Sequence, residues 1–185
     1  MGDISFHFSN RDFVCRCGEC EQRVRISLVL VGYLELIRNH FNKRVDIVKG
    51  YECRLSSEKR GSFKKNWHAF GKAILFKVQD IPAAEVFRYA ETFAEIRGVG
   101  IDPKNEVISI DVRDREQARF VIEHDMQIAL TPVLRQQYHL GEPLPMQDLK
   151  EVKPFGSMLD DGDDAKPSST AASATASAGG LPKQA

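Results

Sequence analysis

The stretch NWHAFGKAILFKV, residues 66–78, places a histidine in front of an apolar segment. Ala73 to Val78 holds one lysine among five apolar residues, and a short apolar run that follows a glycine is typical of a buried β-strand. A histidine at the entrance to such a strand either packs against the sheet or binds a metal ion. The residues around His68 therefore decide between a structural and a chemical role.

The segments before this strand predict a helix, a strand and a loop. Residues 22–41 carry apolar side chains at helical spacing, and although the inner VRISLVLV also alternates as a strand would, the length favours a helix. A short strand is expected at residues 45–48. Residues 50–66 are polar and contain two glycines, which is typical of a loop.

The segments after the strand carry both helix and strand signals. Asp80 is expected to cap a helix that has Pro82 in its first turn. GVGID at residues 98–102 and EVISIDVRD at residues 106–114 predict two strands. The second alternates, and one of its faces carries Val107, Ser109, Asp111 and Arg113.

Two further helices are predicted toward the end of the domain. Asp114 with Gln117 forms a capping box for a helix to about Asp125, and Thr131 starts another helix to about His139. Helices and short strands are thus mixed without a regular βαβ repeat. We therefore expect an α+β fold with a small, mostly antiparallel sheet flanked by helices.

The composition divides the chain into a domain and a tail. Residues 1–155 have the apolar patterning of one globular domain. Residues 156–185 are rich in alanine, serine, threonine, glycine and proline and contain no aromatic residue. Such a segment buries too little apolar surface to offset the entropy of ordering, so we predict a disordered tail.

Charge and hydropathy argue against several classes of partner. The chain has 26 Lys and Arg against 26 Asp and Glu, so a nucleic acid partner is not expected. No apolar run approaches the roughly 20 residues of a membrane span. The N-terminus MGDISFHFSNRDF lacks a basic segment followed by an apolar one, so we expect cytoplasmic synthesis without a secretory signal.

Four segments resemble one enzyme family. They are HFSNRDFVCRCGEC (7–20), VDIVKGYECR (45–54), NWHAFGKAILFKV (66–78) and GVGIDPKNEVISIDVRD (98–114). Their order and spacing are similar to those of zinc D-Ala-D-Ala carboxypeptidases with the Hedgehog-like peptidase fold, over about Phe6 to Arg113. The resemblance implies a relative of the enzymes that cut D,D-peptide bonds of bacterial peptidoglycan, in cell-wall remodelling and in phage endolysins.

The resemblance also implies where the catalytic zinc would be held. In the family the ligands are the motif histidine, an aspartate seven residues on, and a histidine of the later strand. His68 matches the first ligand, but Leu75 and Ser109 stand at the other two positions. Asp111 matches the family residue that follows the last ligand by two positions.

The substrate-binding turn departs from the family in a similar way. The family's Gly-Tyr-Arg turn resembles Gly50-Tyr51-Glu52, so Tyr51 and Glu52 are the expected substrate-binding positions. A glutamate in place of the arginine would repel a substrate carboxylate rather than bind it. The family's motif serine falls on Asn66.

These replacements predict that the catalytic zinc site has been lost. A catalytic zinc needs three protein ligands and a water molecule. Leucine has no lone pair to offer, and a serine hydroxyl is a poor zinc ligand at neutral pH. We therefore expect no catalytic residue and no cofactor at the remnant site formed by His68, Leu75, Ser109 and Asp111.

Two routes to a rebuilt zinc site stay open. His40, His124 or His139 could supply a ligand in space, which sequence spacing does not exclude. Alternatively, Asp111 could turn inward beside His68, which would give two donors where three are needed.

The cysteines allow two interpretations. Cys15, Cys17 and Cys20 are clustered in CRCGEC, and with Cys53 they would make a closed structural zinc site that joins the N-terminal arm to the loop after the first strand. The spacing C-x-C-x₂-C is not the commoner paired C-x₂-C. Because the resemblance includes similar cysteine-rich N-termini, a family packing or disulfide feature is the other interpretation.

Three functions follow from these observations. We favour a catalytically inactive D,D-peptidase-like domain that serves as a structural or binding module for a protein partner, with a phage or prophage virion as its predicted setting. The alternative is an active zinc peptidoglycan D-Ala-D-Ala carboxypeptidase or endolysin with substitute ligands. A third hypothesis is a domain that binds cell-wall peptides without cutting them. The sequence predicts no oligomeric state.

Overall fold

Six strands and four helices make up the described part of the chain. The structure is a computed structural model that describes residues 2–21, 23–59, 61, 66–114, 116–124 and 126–147. The strands are β1 (Val45–Lys49), β2 (Ala73–Val78), β3 (Gly98–Asp102), β4 (Val107–Asp111), β5 (Ala118–Glu123) and β6 (Met126–Ala129). The helices are α1 (Leu28–Phe41), α2 (Arg54–Lys59), α3 (Ala83–Ala90) and α4 (Pro132–Gln137).

The strands form one mixed sheet in the order β1-β2-β4-β3-β5-β6. Neighbouring strands are antiparallel except β3 and β5, which run parallel. The expectation of a small, mostly antiparallel sheet is corrected by this topology, since the sheet is mixed and has six strands. Strands β1 to β4 lie where the sequence predicted them.

The predicted helix from Asp114 to Asp125 is wrong, because Ala118–Glu123 forms β5. Two neighbouring side chains of β5 are buried on opposite faces of the sheet. Val121 is fully buried in the core, and Phe120, on the opposite face, is 3% exposed. Burying each of these side chains contributes about 1.5–3 kcal/mol, whereas a helix cap contributes about 1 kcal/mol. Burial therefore outweighs the capping signal.

Helices α1 and α3 begin later than predicted. Helix α1 starts at Leu28, and the extended Ser27 before it donates its backbone N–H to the Gly71 carbonyl over 2.8 Å. The predicted cap Asp80 is wrong, since it lies in the preceding turn with a φ of 58°. The first amide of α3, on Ala83, instead donates to Glu106 Oε2 over 2.8 Å.

The two shorter helices had different outcomes. Residues 50–66 were expected to be a loop throughout, but α2 occupies Arg54–Lys59 within them. Helix α4 confirms the prediction near Thr131, whose Oγ1 accepts a hydrogen bond from Leu134 N at 3.2 Å.

The core lies on one face of the sheet. Apolar side chains of the central strands pack there against α1 and α3. The core includes Ile74, Phe76, Val99, Ile101, Ile108, Ile110 and Val121 from the strands, and Leu30, Leu34, Ile37, Val86, Phe87 and Ala90 from the helices. Because side chains alternate along a strand, Leu75, Ser109 and Asp111 lie on the opposite face.

The C-terminal predictions fall largely outside the described residues. The boundary at residues 155 and 156 and the disordered tail lie there, and both stay predictions. Among the described residues, none of the helices has the length and apolarity that crossing a bilayer requires.

Candidate functional site

The central strands bring three of the four remnant-site positions onto one face. Leu75 on β2 lies opposite Ser109 on β4, and Ser109 lies opposite Gly100 on β3. Asp111 is two residues beyond Ser109 and therefore points to the same side. Ser109 and Asp111 are only 4% and 2% exposed, so this face is covered by other parts of the chain.

His68 stands in a short 3-10 turn, Trp67–Phe70, immediately before β2. The side chain of Asn66 caps this turn by accepting a hydrogen bond from His68 N at 3.1 Å. The imidazole Nδ1 lies 2.9 Å from the carbonyl oxygen of Gly50. A carbonyl only accepts, so Nδ1 carries a proton and donates it to Gly50.

Asp111 forms a hydrogen-bonded ion pair with Arg113. Arg113 Nε donates to Asp111 Oδ1 at 2.6 Å, its NH2 group donates to Oδ2, and its backbone N–H donates to Oδ1 at 3.2 Å. The guanidinium lies over two aromatic rings, with Cζ 5.8 Å from the centroid of Trp67 and 5.9 Å from that of Phe120. Both carboxylate oxygens of Asp111 are therefore held by Arg113, and no hydrogen bond described in this structure joins Asp111 to His68.

Two glycines of β3 make room for this arrangement. A Cβ atom on Gly98 would lie 1.9 Å from Asp111 Oδ2, and one on Gly100 would lie 2.1 Å from the ring of Phe120. Both separations are far below van der Waals contact. The GVGID segment therefore lets a carboxylate and an aromatic ring cover the sheet beside Ser109.

Glu52 lies inside a hydrogen-bonded network. Its side chain is 3% exposed, and Oε2 is 3.0 Å from Lys49 Nζ. Asn66 Nδ2 donates to Oε2 at 2.5 Å, and Ser56 Oγ donates to Oε1 at 3.1 Å. Asn66 Nδ2 is also 3.0 Å from Ser57 Oγ. The two residues that depart from the resembled turn and motif, Glu52 and Asn66, thus bind each other.

Tyr51 holds the same loop to the N-terminal arm. Its backbone N–H donates to the Phe13 carbonyl over 2.8 Å, and its side chain is half-buried. On the other side of Tyr51, a Cβ atom on Gly50 would lie 2.6 Å from the Cα of Phe13. The arm therefore lies directly on the loop that carries the expected substrate-binding residues.

The four cysteines converge at the junction of this arm and loop. The Sγ atoms of Cys15, Cys17, Cys20 and Cys53 all lie within 4.8 Å of one another. Amide hydrogen bonds from Glu19 and Cys20 lower the pKa of the Cys17 thiol to about 6, whereas burial raises the pKa of Cys15. The four thiols form a cluster that could bind a metal ion.

The comparison with protein families decides what this arrangement belongs to. A family model described as Peptidase M15 matches residues 6–111, which is more than half of the 185 residues. The chain belongs to the Peptidase M15 family. The match confirms the predicted resemblance to zinc D-Ala-D-Ala carboxypeptidases and ends at Asp111, in the strand that carries Ser109.

No curated protein and no solved structure matched the chain in the other two comparisons. The Hedgehog-like part of the fold prediction therefore stays a prediction. The fold itself, with a mixed six-stranded sheet flanked by helices, is consistent with an M15 peptidase.

Two of the remnant-site positions of this M15 domain offer no open zinc ligand in this structure. Leu75 is aliphatic, and the Asp111 carboxylate is held on both oxygens by Arg113. Among the described residues, the four cysteines are the only group of three or more His, Cys, Asp or Glu side chains whose ligand atoms converge, and His68 is not in that group. A catalytic zinc needs three protein ligands, and no such group of described residues includes His68.

The distant histidines lie in other parts of the domain. His40, in the last turn of α1, stacks on Tyr89 with ring centroids 3.7 Å apart. His124 lies between β5 and β6, and His139 follows α4. None of the three joins His68 in a convergent ligand group of the described residues.

Sequence reasoning missed the residues that support the remnant site. Lys49 lies between the strand predicted at residues 45–48 and the loop predicted at residues 50–66, and no role was predicted for it or for Ser56 and Ser57 of that loop. Lys49 and Glu52 are three residues apart, but one ends a strand and the other lies in a loop, where this spacing does not indicate an ion pair. Phe120 was missed because its segment was assigned to a helix.

Proposed function

We propose that this M15 domain has lost peptidase chemistry and serves as a structural or binding module for a protein partner or a cell-wall peptide. The pairing of Leu75 with Ser109 in adjacent strands carries the proposal. The resemblance implies an aspartate and a histidine at these two positions, side by side, and a leucine with a serine offers zinc no comparable donors.

The loop at Glu52 gives independent support. The resemblance implies an arginine there that binds the substrate carboxylate. Glu52 instead is a buried acceptor that takes hydrogen bonds from Asn66 and Ser56 and pairs with Lys49. A carboxylate used in this way holds the loop together and has no means of attracting an anionic peptide terminus.

Release of D-alanine tests the loss of chemistry. The full chain is incubated with added Zn²⁺ and a peptidoglycan stem peptide that ends in D-Ala-D-Ala, and free D-alanine is measured. We expect no release by the natural sequence. The double substitution Leu75→Asp and Ser109→His restores the implied ligands, and any release that it gains is expected to vanish when His68→Ala is added.

Turnover by the natural sequence would overturn the proposal, provided that it depends on His68. If the double variant gains no activity, only the result for the natural sequence tests the proposal. The zinc content of the double variant is therefore measured in parallel. Zinc bound by the double variant and released by His68→Ala would show that the scaffold still presents a ligand set.

One observation favours the alternative, an active zinc peptidase with substitute ligands. The His68 ring donates from Nδ1 to a backbone carbonyl, which is how metal-binding histidines are commonly oriented. The alternative predicts zinc that survives Cys17→Ser but is lost in His68→Ala, together with D-alanine release. The proposed inactive module predicts neither.

Binding without turnover is the finer form of the proposal. Calorimetry with a D-Ala-D-Ala peptide, in the absence of release, would identify the cell-wall peptide as the occupant, and a lack of binding would point to a protein partner. The setting in a phage or prophage particle stays a prediction, and detection of the chain in purified particles would test it.

A further inference from the structure

The cysteine cluster is built from two segments that are far apart in the chain. Cys15, Cys17 and Cys20 come from the N-terminal arm, and Cys53 comes from the loop after β1. We propose that these four thiols hold one zinc ion in a closed structural site, which cross-links the arm to the loop that carries Glu52. The inference is independent of whether the domain has lost peptidase activity.

The sulfur positions suit one ion better than two disulfides. Zinc–sulfur bonds of about 2.3 Å in a tetrahedron put the sulfurs about 3.8 Å apart. Cys17 Sγ is 3.5 Å from Cys20 Sγ and 3.6 Å from Cys53 Sγ, and no pair of the four exceeds 4.8 Å. Since Cys17 is equally close to two partners, the geometry singles out no disulfide pair.

The backbone around the cluster stabilises thiolates. Glu19 N lies 3.4 Å from Cys17 Sγ, and Gly18 has a φ of 73°, which permits the tight turn between Cys17 and Cys20. Cys53 N lies 3.2 Å from Cys15 Sγ, and Ser56 N lies 3.4 Å from Cys53 Sγ. Such N–H donors to sulfur are the surroundings that support bound thiolates and orient them toward a metal.

The site is closed, which makes it structural. Four protein sulfurs complete a tetrahedron and leave no position for a reactive water. Cys15 and Cys53 are each 4% exposed. Tetrahedral coordination by four sulfurs suits zinc or iron, and we assign zinc because four-cysteine structural sites are characteristic of it.

The cross-link would position the remnant site. Cys53 directly follows Glu52, whose backbone N–H donates to the His68 carbonyl over 3.3 Å. The arm contacts the same loop through the hydrogen bond from Tyr51 N to Phe13 O. An ion at the cysteines therefore fixes both sides of the loop from which Glu52 reaches Asn66.

Metal analysis of the full chain tests the site. The protein is purified in a phosphine reductant without added metal, and bound metals are measured by mass spectrometry. We expect one zinc ion per chain, retained in the His68→Ala control and lost in Cys17→Ser and Cys53→Ser. Apo protein titrated with Co²⁺ is expected to show the visible absorption of a tetrahedral thiolate complex.

Hydrogen exchange then tests whether the bound zinc stabilises the arm and the loop or binds without affecting their structure. Removal of zinc by a chelator is expected to increase exchange at residues 13–21 and 50–59, while β2 and β4 keep their protection. This measurement uses the natural sequence, so it holds even if a cysteine variant fails to fold. Three results would overturn the inference: zinc that persists in both cysteine variants, iron in place of zinc, or disulfides in the reduced preparation.

Discussion

Replacement of Lys49 by methionine tests whether Glu52 belongs to the framework or is available to a ligand. Removing one partner of a fully buried ion pair costs about 3–5 kcal/mol, because the remaining charge is left without a counter-charge. Lys49 keeps 28% of its side chain exposed, and Asn66 and Ser56 would still donate to the carboxylate. We therefore expect Lys49→Met to lower the free energy of unfolding by about 2 kcal/mol.

Urea denaturation followed by circular dichroism measures this change. In a domain of this size, a loss of about 2 kcal/mol lowers Tm by roughly 4–8 °C. Arg54→Met is the matched control, because it removes a similar charge from an exposed ion pair. In that pair the side chain of Arg54 is 74% exposed and that of Glu58 is 45% exposed. The control is expected to change stability by less than about 0.5 kcal/mol.

A double-mutant cycle identifies the partner of Lys49. In a Glu52→Gln background the carboxylate charge is gone, so Lys49→Met should cost about 1–2 kcal/mol less than it does in the natural sequence. An equal cost in both backgrounds, or a cost no greater than that of Arg54→Met, would refute the reasoning. Glu52 would then not depend on the Lys49 ammonium for its place in the hydrogen-bonded network.

Three further substitutions test other parts of the domain. Burial disfavours ionisation of Glu35, but hydrogen bonds from Ser5 and His7 outweigh it and hold the pKa of Glu35 below its usual value. This contribution to stability is present above the unfolded-state pKa of about 4.3 and is lost as the pH falls through the folded-state pKa. Glu35→Gln should therefore reduce the fall in the free energy of unfolding between about pH 7 and about pH 3. An unchanged pH dependence in this range would contradict the prediction. Gly100→Ala should cost about 1–3 kcal/mol in urea denaturation and be partly rescued by Phe120→Leu, whereas strictly additive effects would show that the two do not touch. Asp111→Asn should cost about 3 kcal/mol by the same assay, since it leaves the largely buried Arg113 guanidinium without its carboxylate, and a loss below about 1 kcal/mol would count against the pair.

The strands that carry the site were predictable from local patterns. Ile108 and Ile110 alternate with Ser109 and Asp111, and this alternation alone assigns the polar pair to one face. The placement of Ser109 beside Leu75 follows from the antiparallel pairing of β2 and β4, which the sequence did not specify. Face assignment is therefore a local property, whereas adjacency across strands needs the tertiary structure.

The remaining features depend on contacts between distant residues. Cys53 is 36 residues from Cys17, so the four-cysteine cluster was only one of two interpretations of the sequence, and the fold of the arm onto the loop brings the sulfurs together. Lys49 stands opposite Leu75 only because β1 shifts register between Ile47 and Lys49. In β5, the local capping signal at Asp114 favoured a helix, and the burial of Phe120 on the far face of the sheet decided for a strand.

The tryptophan beside Arg113 gives the domain an intrinsic fluorescent reporter. Trp67 is the single tryptophan of the chain, it directly precedes His68, and its ring lies 5.8 Å from the Arg113 guanidinium. Indole emission therefore reports on one position in the fold, beside the sheet face that carries Ser109. A peptide or protein that binds beside Trp67 will change the intensity or wavelength of the emission. Binding at a distant surface will leave the emission spectrum unchanged.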